Sequence, residues 1–283
     1  MVQPTKAVDN LISMKSDAAV EDSATPLKKR RSGGRRRTRR AVLSILTGLL
    51  LWEFSIPIFH INGLVLSPPT KIFARFFELL ADGSIQKHIF TSFSQFALGY
   101  IFCALTAIPL GLAMGKIERL RDALDPWISA LYATPSISLA PLILIWLGLG
   151  LQAKAVIVAL MAFFPMVINT VAGVDSVTKQ YEEIALAFRA SRLEQFVKLV
   201  FPGALPFIFA GLRLAVGRGI VGVVVADLFG ATQGLGYLLI QASQLFNTVD
   251  VFVVTVILAG MGVLLTLLLG FFQRLLCGWQ SGT

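Results

Sequence analysis

Three ionisable residues interrupt an otherwise apolar stretch at about residues 207–230: Arg213, Arg218 and Asp227. Such groups can bind a charged solute or form ion pairs, but inside a bilayer they are costly unless they face protein or water. Arg213 is close enough to one end of the stretch for its guanidinium to reach the membrane surface. Arg218 and Asp227 are about 13 Å apart along a helix and near opposite faces. Because they cannot pair directly, we expect each to have its own partner or to line a hydrated solute pathway.

Enzyme chemistry has no support in the sequence. The chain has two histidines and two cysteines, and none of them has the spacing typical of a metal site or a Ser-His-Asp set. A phosphate-binding Gly-x-x-x-x-Gly-Lys-Ser/Thr stretch does not occur, so we do not expect this chain to bind ATP in that way. Cys103 and Cys277 lie in or beside apolar runs and are interpreted as buried thiols. We therefore expect no catalytic residue, no metal and no cofactor.

The composition indicates a membrane protein. Of the 283 residues, 55% are hydrophobic and only 14% are charged, which is too little charge for the surface of a soluble protein of this length. Several apolar runs reach the roughly 20 residues that a helix needs to cross a bilayer. The predicted class is all-α and polytopic, with six transmembrane helices at about residues 41–61, 90–114, 128–149, 153–171, 207–230 and 251–272.

Basic residues set the predicted orientation, because short cytoplasmic loops carry an excess of Lys and Arg. They are concentrated in the N-terminal segment, in the sequence KIERLRD at 116–122, before the fifth span and after the sixth. Both termini are therefore expected in the cytoplasm. The net charge of +9 is local, since nearly half of the 25 basic residues lie in residues 1–40. We interpret this segment as a disordered tail that anchors the first span and contacts anionic lipid headgroups, with no nucleic-acid partner.

The longest polar stretch between apolar spans covers residues 180–206 and reads QYEEIALAFRASRLEQFVKLVFPGALP. Its pattern predicts two short amphipathic helices. The second begins at Ser191, where Ser-x-x-Glu can form a capping box with Glu194, and Pro202 is expected to end it. Two short helices that meet at a turn form an exposed knob. The knob is either a surface loop folded back on the membrane or a docking element for a soluble partner.

Small residues recur along the fifth span at spacings of four, four and three positions. Such a stripe lets the backbone of another helix approach closely. It predicts tight helix packing, either within one chain or between two copies. The stripe consists of Gly211, Ala215, Gly219 and Gly222.

The polar stretch resembles the cytoplasmic EAA loop of bacterial ABC importer permeases. In that family a Glu-Ala-Ala-like triplet is followed by a glycine and then by an apolar helix that ends in Leu-Pro. The family glycine falls on Arg189, where a left-handed turn would cost a non-glycine residue about 1 kcal/mol. The resemblance implies that residues 174–206 couple the chain to an ATPase. The residues to which it assigns this role are Glu183, Ile184, Ala185, Arg189, Pro202, Gly203, Leu205 and Pro206.

Further strings resemble the nitrate, taurine and alkanesulfonate group of these permeases, among them LSPPTKIFARF, ATPSISLAPLILIWLGLG and GLGYLL. The resemblance implies a type I, MetI-like importer permease domain over residues 41–283, in a bacterial plasma membrane. Its implied partners are two ATPase subunits, a solute-binding protein outside the cell and a second permease copy, which makes a homodimer. A small anion such as nitrate, a sulfonate or taurine is the implied solute. Relatives also carry cofactor precursors, and their selectivity usually lies in the binding protein.

Two other classes stay open at this point. A secondary carrier or channel would need no ATPase, but the repeat-related pair of broken helices typical of many carriers is not evident in the sequence. A membrane scaffold or sensor without transport is the third class. Uptake that requires ATP distinguishes the importer from both.

Overall fold

The computed structural model describes the backbone of residues 34–187 and 191–278, and side chains for residues 39–177 and 191–278. Within these ranges every regular element is helical, which confirms the predicted all-α class. The chain divides into two compact units, Met1–Trp52 and Glu53–Thr283. Of the first unit, the structure describes residues 34–52, which are helical.

The helices of the described ranges are numbered here in chain order. A 3₁₀ turn, Ser136–Leu139, precedes α5, and a π-helical turn, Phe196–Val200, joins α7 to α8. The helices are α1 (Gly34–Ile58), α2 (Pro69–Ala81), α3 (Ser84–Lys116), α4 (Glu118–Ala133), α5 (Ala140–Leu147), α6 (Leu151–Ala187), α7 (Arg192–Gln195), α8 (Phe201–Leu228), α9 (Leu235–Gln244) and α10 (Thr248–Leu276).

By length and composition, five helices of the described chain can cross a membrane, and the bent pair of α4 and α5 can supply a sixth. The five contain α1, α3, α6, α8 and α10, so the predicted count of six is reached when the bent pair is taken as one span. The first of them starts earlier than expected, because α1 already begins at Gly34. Residues 34–40 are therefore helical rather than part of a disordered tail, and residues 1–33 of that predicted tail lie outside the described residues.

The third predicted span, at 128–149, was wrong as a single helix. Instead α4 ends at Ala133, and the chain turns by 91° into the following 3₁₀ turn and α5. Pro135 explains the break: a proline disfavours the helical conformation of the residue before it, and Thr134 is extended, with φ −73° and ψ 134°. The predicted loop at 116–122 is also mostly helical. Ile117 alone separates α3 from α4, with φ −113° and ψ 99°.

The prediction of two short helices in the polar stretch was also wrong. The first is the end of α6, which continues without interruption from Leu151 to Ala187. The second is joined through the π-helical turn to α8, so that the helical stretch runs on to Leu228. Pro202 does not end it, because it lies in the first turn of α8, directly after the π-helical turn. Phe188 and Arg189 lie outside the described residues.

Helix α6 lies at the centre of the second unit and packs along α3 and α8. The small-residue stripe of α8 is buried and faces neighbours in the same chain. A Cβ at Gly222 would lie 2.9 Å from Val158 Cα in α6, and one at Gly219 would lie 2.9 Å from the Phe96 ring in α3. Gly211 is equally close to α6, and Ala215 is fully buried. The stripe therefore brings α8 into close contact with two helices of its own protomer.

Helix α2 is held by polar contacts at two points. The Glu53 carboxylate accepts hydrogen bonds from the Thr70 amide at 3.1 Å and its hydroxyl at 2.8 Å. The Arg75 Nε donates to Asp250 Oδ1, at the start of α10, over 2.8 Å. The pKa of Arg75 is raised because Asp250, and then Glu78, accept hydrogen bonds from its guanidinium. These contacts fasten α2 to Glu53 of α1 and to the start of α10.

Candidate functional site

Arg218 lines a cavity of about 390 Å³ where the bend between α4 and α5 faces α6 and α8. Consecutive residues from 132 to 137 form one wall, so the break in the third span is also a wall of the cavity. Three residues of α6, Met161, Phe164 and Pro165, and Val221 of α8 complete the apolar part. The break at Pro135 in the predicted third span therefore shapes the surroundings of Arg218.

The polar groups of this cavity differ in their partners. The Thr134 hydroxyl donates to Ala130 O over 2.9 Å. Within the described part of the chain, no hydrogen bond or ion pair joins the side chain of Arg218, Ser136 or Tyr132 to another residue. Arg213, on the same helix, instead donates to the Gln273 side chain of α10. Among the described residues, Arg218 thus has no charge partner in the cavity, whereas Arg213 is engaged in helix packing.

Asp227 has its partners inside the protein. Its carboxylate accepts hydrogen bonds from Lys154 Nζ at 2.8 Å and from Gln95 Nε2 at 3.2 Å, both at Oδ1. Its Oδ2 accepts from the Gly236 amide at 3.2 Å. Asp227 is buried, so the structure places it in a polar node that joins α3, α6, α8 and α9. The pathway role predicted for Asp227 has no exposed surface to support it, in contrast to that of Arg218.

Sequence reasoning missed Lys154 as the partner of Asp227. Lys154 is separated from Asp227 by 73 positions, so no local spacing connects the two. The available signal was a solitary lysine at the start of one apolar helix and a solitary aspartate near the end of another. Isolated ionisable groups at membrane depth pair with one another, but the sequence does not say which ones meet.

The sequence Gly-Leu-Gly at 234–236 closes over the carboxylate of Asp227. Gly234 has φ +125°, a conformation that residues with side chains rarely adopt, and a Cβ at Gly236 would lie 2.6 Å from Asp227 Cβ. The Leu235 amide donates to the buried Ser92 hydroxyl over 2.7 Å. Both glycines are needed because the backbone here approaches a buried acid directly.

The predicted capping box is confirmed. Ser191 Oγ accepts a hydrogen bond from the Glu194 amide at 3.3 Å, and Glu194 Oε2 accepts one from the Ser191 amide at 3.1 Å. The backbone of Glu183, Ile184 and Ala185 belongs to the end of α6, while their side chains lie outside the described set. Of the other predicted coupling residues, Arg189 lies outside the described residues, and four lie in the first turns of α8: Pro202, Gly203, Leu205 and Pro206.

The predicted coupling segment, residues 174–206, has two arms: its first part is the end of α6 and its last part is the start of α8. The two arms pack tightly against each other. Gly203 of α8 lies against the Val177 side chain of α6, so closely that a Cβ would collide with it. Val174 and Val177 of α6 form a buried cluster with Val200 and Ala204. A displacement of one arm is therefore transmitted to the other, since close-packed interiors are only slightly compressible.

The same region is connected to the bent helices. Arg121 Nη1 of α4 lies 2.8 Å from Asp175 Oδ1 of α6. At the end of α3, Lys116 Nζ lies 6.0 Å from the centroid of the Phe196 ring in the π-helical turn, a distance at which a cation is attracted by the ring. The coupling segment thus has contacts with α4, whose other end forms a wall of the Arg218 cavity.

Comparison with known families gives a match over more than half of the chain. Residues 107–277 match the family described as "Binding-protein-dependent transport system inner membrane component". The matched residues include the bent pair, α6, the capping box and α8, and from the buried node Lys154, Asp227 and Gly236. They therefore include the cavity and the predicted coupling segment.

Individual relatives cover almost all of the chain. The putative aliphatic sulfonates transport permease protein SsuC of Bacillus subtilis is 30% identical over 271 residues, 95% of this chain and 98% of the relative. The taurine transport system permease protein TauC of Escherichia coli is 32% identical over 86% of this chain and 92% of its own. The riboflavin transport system permease protein RibX of Chloroflexus aurantiacus is 30% identical over 84% and 89%. These relatives are named for chemically different solutes.

Proposed function

Because this chain belongs to the binding-protein-dependent family of ABC transporter permeases, with sulfonate and taurine permeases among its relatives, we propose that it conducts a small anionic solute into the cell. Nitrate, a sulfonate or taurine are the solutes that this proposal covers. The observation that carries it is Arg218, whose guanidinium lines the cavity without a partner in the described chain. A fixed, uncompensated positive charge lowers the free energy of an anion at that point of the pathway.

Transport is driven by separate ATPase subunits in this proposal. Two of them dock at the coupling segment 174–206 from the cytoplasm. The tight contact between Gly203 and Val177 and the link from Arg121 to Asp175 support transmission of their motion to the bent helices. The predicted coupling residues in α6 and α8 keep the roles that the family resemblance assigns to them. Both chain termini are on the cytoplasmic side of the bacterial plasma membrane.

The assembly contains two copies of this chain, which form the pathway at their interface, and a solute-binding protein that delivers solute from outside. Lipid headgroups contact the basic N-terminal segment. Copurification of the tagged chain with one ATPase and one binding protein tests this composition.

Uptake into proteoliposomes that contain the copurified complex tests the function. We expect uptake of a labelled sulfonate that requires ATP on the ATPase side and binding protein on the opposite side. Uptake driven by an ion gradient without ATP would contradict the proposal and favour a secondary carrier. Absence of any associated ATPase would contradict it as well.

A further inference from the structure

The cavity at Arg218 has one charged group among its lining residues. No carboxylate is among the described residues that line it, and the remainder of the lining is neutral. A solute with one negative charge would balance the single charge of the Arg218 guanidinium. A solute that also carries an ammonium group would bring that group into the cavity without a carboxylate to receive it, and an unpaired charge out of bulk water is strongly unfavourable.

The size of the cavity argues against an inorganic anion as the best-fitting solute. About 390 Å³ falls in the range of roughly 300–1,000 Å³ that is typical of sites for organic ligands. A water molecule takes up about 30 Å³ in the liquid, and an oxyanion with three or four oxygens is only a few times larger. Such an ion would leave most of the apolar wall in contact with water, whereas an organic anion would cover it.

The walls supply both kinds of contact that an organic anion needs. Tyr132 and Phe164 form a tilted aromatic pair with ring centroids 5.7 Å apart, beside Met161. These surfaces suit an apolar body. The guanidinium of Arg218 can bind two oxygens of a sulfonate or carboxylate side by side, and the Ser136 hydroxyl, which has no partner within the described chain, can donate to another oxygen.

We infer that this cavity is a recognition site within the permease for organic monoanions that have an apolar body, such as an aryl or alkyl sulfonate. The inference rests on the proposed transport function and adds to it a site and a narrower solute class. It also places part of the selectivity in the membrane subunit, so that nitrate and zwitterionic taurine are bound less well than a sulfonate without an amino group.

Binding of benzenesulfonate to the full-length permease in lipid nanodiscs tests the inference. Saturation-transfer difference NMR detects weak binding, and nanodiscs without protein provide the blank. We expect saturable binding of benzenesulfonate to the wild-type chain. In competition with it, nitrate and taurine should each bind with an affinity that is lower by about tenfold or more. Arg218→Gln removes a charged hydrogen-bond donor and should weaken binding about tenfold or more, while Arg218→Lys should retain part of it.

Two further variants separate recognition from general damage. Arg213→Gln changes the neighbouring arginine of α8, which pairs with Gln273, and should leave binding unchanged. Ser136→Ala should weaken binding severalfold without removing any hydrogen bond within the described chain. If Arg218→Gln does not fold, the Ser136→Ala and Arg218→Lys variants still give the result. Unchanged binding in the Arg218 and Ser136 variants, or nitrate binding as tight as benzenesulfonate, would overturn the inference.

The two proposals fail in different ways. ATP-dependent uptake by a complex in which Arg218→Gln alters neither binding nor solute preference leaves the transport function intact and removes the recognition site. Benzenesulfonate binding that depends on Arg218, together with uptake that needs no ATP, leaves the site intact and removes the proposed mechanism of transport.

Discussion

Lys154 Nζ lies 2.8 Å from Asp227 Oδ1, and the two side chains are 9% and 0% exposed. The pair joins the start of α6 to the end of α8, and hydrogen bonds from Gln95 and Gly236 extend it to α3 and α9. A buried ion pair contributes little net stability compared with apolar residues of the same shape, but removal of one partner leaves a charge without compensation. The node therefore makes the positions of four helices depend on one another.

Lys154→Met should lower the free energy of unfolding by about 3–5 kcal/mol, because Asp227 stays buried without its cation. The double variant Lys154→Met with Asp227→Asn should recover part of this loss, since the uncompensated charge is gone. Denaturant unfolding of the purified protein measures both effects. Lys198→Met is the matched control: its salt bridge to Glu194, at 3.2 Å, is on the surface, and little change is expected. Equal losses in the two lysine variants would contradict the role of the node.

Gly222→Ala should destabilise the protein by about 1–3 kcal/mol through overpacking. The new Cβ would lie 2.9 Å from Val158 Cα, and a backbone atom cannot rotate away as a side chain can. Gly217→Ala, five positions earlier in the same helix, is the control because no heavy atom lies within 4 Å of the position of its Cβ. Thermal unfolding in detergent compares the two. A Gly222→Ala variant as stable as the wild type would show that α8 can move away from α6 without loss of stability.

Arg121→Glu and Asp175→Arg should each reduce ATP-driven uptake severalfold, because each places two like charges where the ion pair between α4 and α6 now lies. The combined charge swap should restore a substantial part of the uptake. ATPase activity measured in parallel shows whether hydrolysis continues without transport. Failure of the swap to rescue either single variant would argue that the two residues act separately.

Ser191→Ala should increase the amide hydrogen-exchange rate of residues 192–195 about fivefold, the effect expected from loss of an N-cap. Glu194→Gln keeps the ability to accept a hydrogen bond and should have a smaller effect. Mass spectrometry of exchanged peptides measures the amide exchange rate of this segment directly. Exchange that is identical in wild type and Ser191→Ala would show that the capping box does not limit opening of this helix start.

Glu183→Lys should uncouple ATP hydrolysis from transport while membrane insertion stays intact, because a charge reversal at the end of α6 changes the predicted ATPase contact. ATPase activity and uptake in the same proteoliposomes measure the uncoupling. Glu118→Lys, at the start of α4, is a control for the added positive charge. Full transport by the Glu183 variant would remove the support for an EAA-type loop.

Features that depend on near neighbours in the sequence could be predicted. The apolar spans follow from local hydropathy, and the capping box needs only Ser191 and Glu194, three positions apart. The ion pairs could not be predicted in the same way. Lys154 and Asp227 are brought together by the packing of α6 on α8, and Arg121 meets Asp175 only because α4 folds back towards α6.

The prolines differ in whether they interrupt a helix, and the difference has a physical reason. Pro135 breaks the helical path, whereas Pro165 and Pro206 lie inside helices and Pro202 lies in a first turn. The outcome depends on whether neighbouring groups satisfy the backbone that proline leaves unpaired, which is a property of the tertiary structure. The prediction of a single helix at 128–149 therefore missed the break that forms a wall of the Arg218 cavity.

Helices α3 and α4 are joined by Ile117 alone. One added residue in this connection would turn the following helix by about 100° about its axis, and Arg121 would no longer point towards Asp175. Connections between helices usually accept insertions and deletions, but here the number of residues fixes the rotational phase of α4. The residue type at 117 can vary in a functional chain, whereas the spacing between Lys116 and Arg121 cannot.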